Sequence, residues 1–186
     1  MSRKLAKRWI SADEYERMGE AGVFGDGARL ELMEGEIYAM SPTGSSHAAC
    51  VDSLALIFNE FAQRHFIVRV QNPIRLNDFS EPQPDVAIVR WRDDFYRNAH
   101  PTPADVLLVV EVADSTVETD RTVKMPLYAK AGIAEAWLVN LPESRVEIFS
   151  DPAGGAYQTI KHVGRDEEAQ SVSIQNLSIN VAQMVG

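Results

Sequence analysis

Two acidic residues interrupt apolar segments that are typical of neighbouring strands. Asp85 stands at the start of the apolar segment 86–89, and Glu111 lies near the end of the apolar segment 106–112. If the two strands pair antiparallel, the start of the first lies beside the end of the second, so the two carboxylates meet at one sheet edge. Carboxylates that close repel each other unless a proton or a divalent cation lies between them. Oxygen ligands of this kind suit Mg²⁺ or Mn²⁺. The alternative is that Asp85 caps a turn and Glu111 pairs with a cation at the strand end.

A lysine that could reach these acids follows in the next segment. Asp120, Lys124 and Tyr128 are spaced four residues apart, so they share one face wherever the segment is helical. A helix packed back on the sheet could bring Lys124 to the carboxylates, where it could orient an attacking water or offset charge on a phosphate. Alternatively, Asp120 and Lys124 form a solvated ion pair worth only about 0.3–0.5 kcal/mol, and Tyr128 is a packing residue.

A histidine precedes the most regular helical pattern of the chain. Apolar residues recur at spacings of three and four from Val51 to Phe61, and His47 lies four residues before Val51 on the same inward face. A histidine at a helix start is either a hydrogen-bonded core residue or a site residue, and both interpretations stay open. Cys50 lies among the apolar neighbours and is expected to be inert packing. The basic residues Arg3, Lys4, Lys7 and Arg8 are either a solvated tail or phosphate contacts.

The elements around these residues predict one α/β domain. Ser11 and Glu14 form a capping-box pattern, which predicts a helix over 12–20. Pro126 complicates the helix expected between 116 and 131, which either starts late or is kinked, and Gly132 is its expected C-terminal glycine. The other expected elements are a strand hairpin over 29–33 and 36–40, a helix ending near 62, and strands over 66–76, 86–89, 106–112, 136–141, 145–150, 157–162 and 171–174.

Composition sets further bounds. The 186 residues carry 18 Lys+Arg against 27 Asp+Glu, a net charge of −9, and this length predicts a single domain over 1–186. The acidic balance argues against broad charge-driven binding to nucleic acid but does not exclude a nuclease, whose carboxylates hold divalent metal. One cysteine excludes an intramolecular disulfide framework and a multi-cysteine zinc site. We expect a cytoplasmic protein with no membrane partner, because we find neither an apolar run of about 18 residues nor a signal-peptide pattern.

Several blocks of sequence follow one another in a characteristic order. They are Met40-Ser41-Pro42 with His47, Gln71-Asn72-Pro73-Ile74, Glu81-Pro82-Gln83-Pro84-Asp85-Val86-Ala87, Val110-Glu111-Val112-Ala113-Asp114-Ser115-Thr116, Asp120-Arg121 with Lys124, and Tyr128-Ala129-Lys130-Ala131-Gly132-Ile133 leading to Trp137-Leu138-Val139. Together they resemble the Uma family of putative restriction endonucleases, a branch of the PD-(D/E)XK nuclease superfamily, over about residues 29–152.

This resemblance implies a fold and a reaction. The fold is a restriction-endonuclease-like mixed β-sheet flanked by helices, with an N-terminal helix and β-hairpin. The reaction is Mg²⁺-dependent hydrolysis of phosphodiester bonds in DNA, with Mn²⁺ as a second suitable ion. Asp85 matches the PD aspartate and Glu111 the second acid, and the main-chain carbonyl of Val112 completes the metal shell. Ala113 stands where the superfamily lysine belongs, and Lys124 matches a lysine displaced to the following helix.

Two further residues and two competing functions complete the expectations. Glu31 is a candidate additional acid from the hairpin, and His47 is a candidate catalytic residue. The enzyme is expected to act as a homodimer, because a two-fold pair of sites suits cleavage of both strands of a duplex. The first alternative is a non-catalytic nucleic-acid-binding or regulatory module that keeps the nuclease fold. The second is another metal-dependent hydrolase that uses the same acids.

Overall fold

A six-stranded mixed sheet forms the centre of the molecule. The computed structural model describes residues 6–186, so Arg3 and Lys4 of the basic N-terminal segment lie outside the described residues. Its strands are β3 (Phe66–Val70), β4 (Val86–Arg90), β5 (Val106–Ala113), β6 (Glu135–Asn140), β7 (Arg145–Ala153) and β8 (Ala156–Gly164). The strand order is β3-β4-β5-β6-β7-β8; β5 and β6 run parallel, and the other neighbouring pairs are antiparallel.

A short helix and a two-stranded hairpin precede this sheet, as the sequence predicts. Helix α1 (Ala12–Glu20) begins with the expected capping box, in which the Ser11 side chain accepts a hydrogen bond from the Glu14 N–H and the Glu14 carboxylate accepts one from the Ser11 N–H. Strands β1 (Leu30–Met33) and β2 (Glu36–Ala39) pair antiparallel around the turn at 34–35. The hairpin carries Glu31 towards the edge where β4 begins, because Leu32 bridges Glu81.

Helices cover both faces of the sheet, which confirms the predicted layered α/β fold. Helix α2 (Ser45–Ala62) packs its buried residues, Leu54 and Phe58 among them, on one face, where the Phe58 ring lies 6.3 Å from the Trp137 ring. The opposite face is covered by α4 (Met125–Ala131). Continuous burial on both faces explains why β5 has no alternation of polar and apolar residues.

The connection from β5 to β6 shows how the chain accommodates Pro126 in a helical segment. It consists of a short α3 (Val117–Thr119), a π-helical turn over Asp120–Lys124, and α4. Pro126 lies in the first turn of α4, directly after the π-helical turn, so the irregularity expected for this helix falls next to the proline. Gly132 ends α4 with φ 79°, the left-handed conformation expected of a C-terminal glycine.

Two expected strands are wrong. Strand β3 ends at Val70 and does not continue to 76, because Gln71 adopts a left-handed φ of 49° and turns the chain. Residues 171–174 form no strand; the C-terminal pairing is between β9 (Glu168–Gln170) and β10 (Ser178–Asn180), followed by α5 (Val181–Val185). Within residues 6–186, no helix combines the length and the apolar character that crossing a bilayer requires.

Candidate metal and catalytic site

The structure brings Asp85 and Glu111 together at one sheet edge. Strands β4 and β5 pair antiparallel with Val86 opposite Val110, so the next residues outward, Asp85 and Glu111, also stand opposite each other. The Val112 N–H donates a 2.9 Å hydrogen bond to Asp85 Oδ2, which fixes the start of β4 against the end of β5. Both side chains are buried, with 6% of Asp85 and 2% of Glu111 exposed.

Asp85 is held in its ionised form. Three donors converge on its carboxylate: the Val112 N–H, His47 Nε2 at 3.0 Å from Oδ2, and Gln71 Nε2 at 3.2 Å from Oδ1. Burial raises the pKa of Asp85, but the hydrogen bonds from His47 and Val112 outweigh burial and bring the pKa below its usual value. The hydrogen bond to Asp85 in turn raises the pKa of His47.

Glu111 has the opposite character. Its Oε1 accepts a 2.5 Å hydrogen bond from the Tyr128 hydroxyl, and its Oε2 lies 3.3 Å from Lys124 Nζ. Burial is the largest cause that raises the pKa of Glu111 well above its ordinary value, and the charge of Asp85 adds to it, whereas Lys124 acts against the rise. Two carboxylates that stand opposite each other at the same sheet edge therefore have pKa values shifted in opposite directions.

Lys124 lies between two acids from different elements. Its Nζ is 3.3 Å from Glu31 Oε1 and 3.3 Å from Glu111 Oε2, while Glu31 Oε2 accepts a hydrogen bond from the Gln83 N–H. Burial alone lowers the pKa of Lys124, but the charges of Glu111 and Glu31 raise it above its ordinary value. The ammonium group therefore stays charged at neutral pH, and the surface ion pair with Asp120 is not what the structure contains.

An ion-pair network holds the π-helical turn over the sheet. Arg121 donates hydrogen bonds to both carboxylate oxygens of Glu147 on β7, and Arg145 donates to the same carboxylate. At the start of the turn, the Thr116 hydroxyl donates a 2.6 Å hydrogen bond to Asp120 Oδ2. These contacts fix Asp120 and Arg121, the first two residues of the turn that ends with Lys124.

One cavity of about 440 Å³ unites all of the site residues predicted from the sequence. Of the residues that line it, Glu31, Asp85, Glu111 and Asp120 are buried acids, and Lys124 is the buried ammonium. Because these groups are shielded from water, the excess of carboxylates over cations must be offset by protons or by a bound cation. The predicted residues on its wall are Glu31, His47, Asp85, Glu111, Val112 and Lys124.

The donor set fits a hard divalent cation. A carboxylate offers about four acceptor positions, and the three donors on Asp85 leave one open to the cavity. The N–H and C=O of one strand residue point to the same side, so the Val112 carbonyl faces the edge where the Val112 N–H meets Asp85. Oxygen ligands of these types suit Mg²⁺ and Mn²⁺ better than softer ions.

Two residues that contribute to the site were not predicted as site residues. Gln71 adopts a left-handed backbone conformation, and its side chain donates a hydrogen bond to Asp85. Strand propensity does not predict that turn, although Gln71 belongs to one of the sequence blocks that resemble the family. Asp120 is 5% exposed and lines the cavity, and its spacing of four from Lys124 was the signal that could have placed it there. Cys50 is packing as expected: it is buried, and burial raises the pKa of its thiol to about 12.

Comparisons with known proteins agree with this fold and this resemblance. Residues 12–182 match the sequence model of the Uma2 family, which is described as a putative restriction endonuclease. The fold is similar to the crystal structure of a putative nuclease belonging to DUF820 from Anabaena variabilis, with a TM-score of 0.72 and 16% sequence identity over 95% of this chain and 97% of that chain. A comparison with curated proteins gives no significant match.

Proposed function

The chain belongs to the Uma2 family of putative restriction endonucleases, and on that premise we propose that it is a Mg²⁺-dependent endonuclease that hydrolyses phosphodiester bonds in DNA. One observation carries the proposal: Glu31, Asp85, Glu111 and Asp120 line the same cavity as Lys124, and all five are buried. Such an excess of carboxylates is costly to bury without a cation. Mn²⁺ has the same ligand preferences and is the expected substitute ion.

Asp85, Glu111 and the Val112 carbonyl are the proposed metal ligands. Asp85 is the anchoring ligand, because its three hydrogen-bond donors keep it ionised and fixed before any ion arrives. Glu111 would hold the ion as a carboxylate, which requires it to lose a proton because its pKa is raised in the metal-free protein. A bound Mg²⁺ supplies positive charge that stabilises a phosphoryl group under attack and acidifies a nearby water.

Lys124 is proposed to stabilise negative charge and not to act as a base. Its neighbouring acids keep it protonated, so it has no lone pair with which to accept a proton. Glu111 and Ala113 point to the same face of β5, because they are two residues apart in a strand. The π-helical turn and α4 cover that face, so Lys124 reaches Glu111 from above the position where the superfamily lysine would stand.

Other side chains around the site are proposed to orient the acids. His47 holds Asp85 Oδ2, and Tyr128 holds Glu111 Oε1, so each acid has one oxygen fixed by an aromatic ring. Glu31 shares Lys124 with Glu111 and keeps the ammonium group centred between them. Arg29 is exposed at the cavity and supplies a cation that can contact a DNA phosphate next to the cleaved bond.

We further propose that two copies of the chain act together on duplex DNA. A two-fold pair of sites matches the two antiparallel strands of a duplex, and each site then cuts one strand. Analytical ultracentrifugation with and without a short duplex measures this directly. A monomer in both conditions, with cleavage that only nicks one strand, contradicts the dimer and leaves the single site intact.

The decisive experiment measures metal binding and cleavage in the same variants. Isothermal calorimetry with Mg²⁺ and incubation with supercoiled plasmid are carried out on the wild type, Asp85→Asn and Glu111→Gln. The matched control is Asp26→Asn, which removes a carboxylate at an exposed loop position. We expect both activities to be lost in the two site variants and kept in the control. Cleavage that survives in either site variant contradicts the assignment.

Intermediate results separate the nuclease from the non-catalytic alternative. Metal binding that depends on Asp85, without cleavage of duplex or single-stranded DNA, keeps the metal site and indicates another substrate. No Mg²⁺ binding by the folded wild type favours the non-catalytic module, and gel-shift titration with DNA then tests whether the cavity retains a binding role.

A further inference from the structure

A second group of metal-ligating side chains lies outside the cavity described above. Glu16, Glu81 and His100 each bring one ligand atom into a group whose members all lie within 4.8 Å of one another. None of the three lines the cavity of Asp85 and Glu111. Glu81 is 3% exposed, His100 is half-buried, and the Glu16 side chain is 41% exposed. Solvent ions can therefore reach the group from the side of Glu16.

Three separate segments converge here, and each is fixed by its backbone. Glu16 lies on α1, whose first residue, Ala12, donates a 2.8 Å hydrogen bond to the Asp78 carbonyl. Glu81 pairs with Leu32 in an isolated antiparallel bridge. His100 precedes Pro101, whose carbonyl accepts a 2.8 Å hydrogen bond from the Arg75 N–H. The side chains thus meet on a preformed scaffold and not on a mobile loop tip.

Glu81 lacks the partners that a buried carboxylate requires. Its Oε2 is buried and accepts no hydrogen bond from any of the residues 6–186. Burial, and next the charge of Glu16, raise the pKa of Glu81 to about 7. A buried acceptor with no partner costs free energy, and such a group in a native structure indicates a missing water or ion.

The neighbouring arginine does not fill this role. Arg75 lies 2.6 Å from Asp13 and 3.8 Å from Glu16, and no ion pair within 4.0 Å connects it to Glu81 among the described residues. Asp78 also lies 3.9 Å from this guanidinium, which is therefore already shared among three acids. The charge of Glu81 is therefore neutralised either by a proton shared with Glu16 or by a further cation.

We propose that Glu16, Glu81 and His100 form a second metal site, which binds Zn²⁺ and is separate from the site of Asp85 and Glu111. Two carboxylate oxygens and one imidazole nitrogen are a ligand set that Zn²⁺ accepts, with water in the fourth position. Mg²⁺ prefers oxygen ligands alone, so the histidine distinguishes this site from the all-oxygen cavity. The bound ion joins α1 to the segments around residues 81 and 100.

Binding at this site stabilises the folded chain, because the three segments are far apart in the unfolded state. At a hundredfold excess of free Zn²⁺ over its Kd, the melting temperature of a chain of this size rises by about 5–10 °C. Leu32 lies beside Glu31 in β1 and pairs with Glu81, so the ion also fixes the strand that carries Glu31 to Lys124.

The test is Zn²⁺ titration of metal-free protein, followed by calorimetry and by thermal unfolding. The variants are Glu81→Gln and His100→Gln, and the controls are His65→Gln, at an exposed histidine, and Asp85→Asn, in the other cavity. We expect one tight equivalent in the wild type and both controls, and a loss of affinity of at least about 100-fold in both ligand variants. Millimolar Mg²⁺ is expected to leave the Zn²⁺ in place.

Three outcomes overturn the proposal. The first is no tight Zn²⁺ equivalent in the wild type, in which case Glu16 and Glu81 share a proton instead. The second is Zn²⁺ binding that disappears in Asp85→Asn and persists in Glu81→Gln, which places the ion in the cavity. The third is loss of binding in His65→Gln. Because His100 is half-buried, its variant folds even if Glu81→Gln does not, and circular dichroism checks both.

Discussion

Replacing Lys124 with methionine removes the one buried ammonium of the cavity while keeping a side chain of similar length. Glu31 and Glu111, both 3.3 Å from Lys124 Nζ, then lose their shared counter-charge in a site where 5% and 2% of these residues are exposed. Removing one partner of a buried ion pair costs about 3–5 kcal/mol. For a chain of this size, that cost lowers the melting temperature by about 6–20 °C.

The assay is urea denaturation in metal-free buffer at pH 8, with Lys130→Met as the matched control. Lys130 pairs with Glu34 at 2.7 Å, but the two side chains are 55% and 63% exposed, so we expect a loss of at most about 1 kcal/mol. A loss for Lys124→Met that is as small as this control refutes the argument, because it means that Lys124 is solvated.

The pH dependence of the same variant gives a second check. The pKa of Glu111 is raised in the folded protein, so the folded state binds a proton more tightly than the unfolded state does. At low pH, Glu111 is protonated and carries no charge, so it no longer needs the ammonium group as a partner. Each unit by which the pKa of Glu111 is raised corresponds to about 1.36 kcal/mol of stability that depends on pH. We therefore expect the stability difference between the wild type and Lys124→Met to be smaller at pH 5 than at pH 8.

Three other substitutions test separate parts of the argument. In metal-free buffer, Glu111→Gln is expected to gain stability relative to the wild type as the pH rises from 4.5 towards the raised pKa of Glu111 in the folded protein, because the variant has no carboxyl group to ionise. Chemical denaturation measures the difference in free energy of unfolding, and a difference that stays constant with pH contradicts the raised pKa. Ser11→Ala removes the cap of α1 and costs about 1 kcal/mol by the same method, and no loss means that α1 is held by its tertiary contacts alone. Leu54→Ala opens a cavity between α2 and the sheet and costs about 2–5 kcal/mol in thermal unfolding; a loss below 1 kcal/mol is incompatible with the observed packing.

The parts of the fold that could be predicted from sequence depend on local patterns. The capping box at Ser11 and Glu14, the turn at 34–35 and the glycine at 132 each involve residues within one turn of each other, and each lies where the sequence predicts it. The meeting of Asp85 and Glu111 needs one further assumption, that their strands pair antiparallel. The register of β4 with β5 satisfies that assumption.

The errors arise where distant residues decide the local backbone. Gln71 turns the chain at a left-handed φ of 49° because its side chain is held by Asp85 and its N–H by the Asp85 carbonyl, contacts that no local pattern encodes. The supposed strand at 171–174 is instead a loop whose N–H groups at 172 and 173 donate to the buried Glu135 carboxylate. In both places a single acid distant in sequence overrides strand propensity.

The same reason explains why the sequence leaves the second metal-ligating group hidden. Glu16, Glu81 and His100 come from a helix, a bridge and a loop, and separate backbone contacts hold each of these segments in place. Leu32 of β1 pairs with Glu81, whereas the preceding residue, Glu31, contacts Lys124 in the other site. Glu31 and Glu81 therefore lie close to the same strand but belong to different groups of acids. Burial, and next the charges of Glu81 and Glu31, raise the pKa of Tyr15, whose hydroxyl donates a 2.9 Å hydrogen bond to the Leu30 carbonyl in β1. Strand β1 thus lies between two groups of acids. Burying their carboxylates costs free energy, and a cation bound at either site would offset that cost.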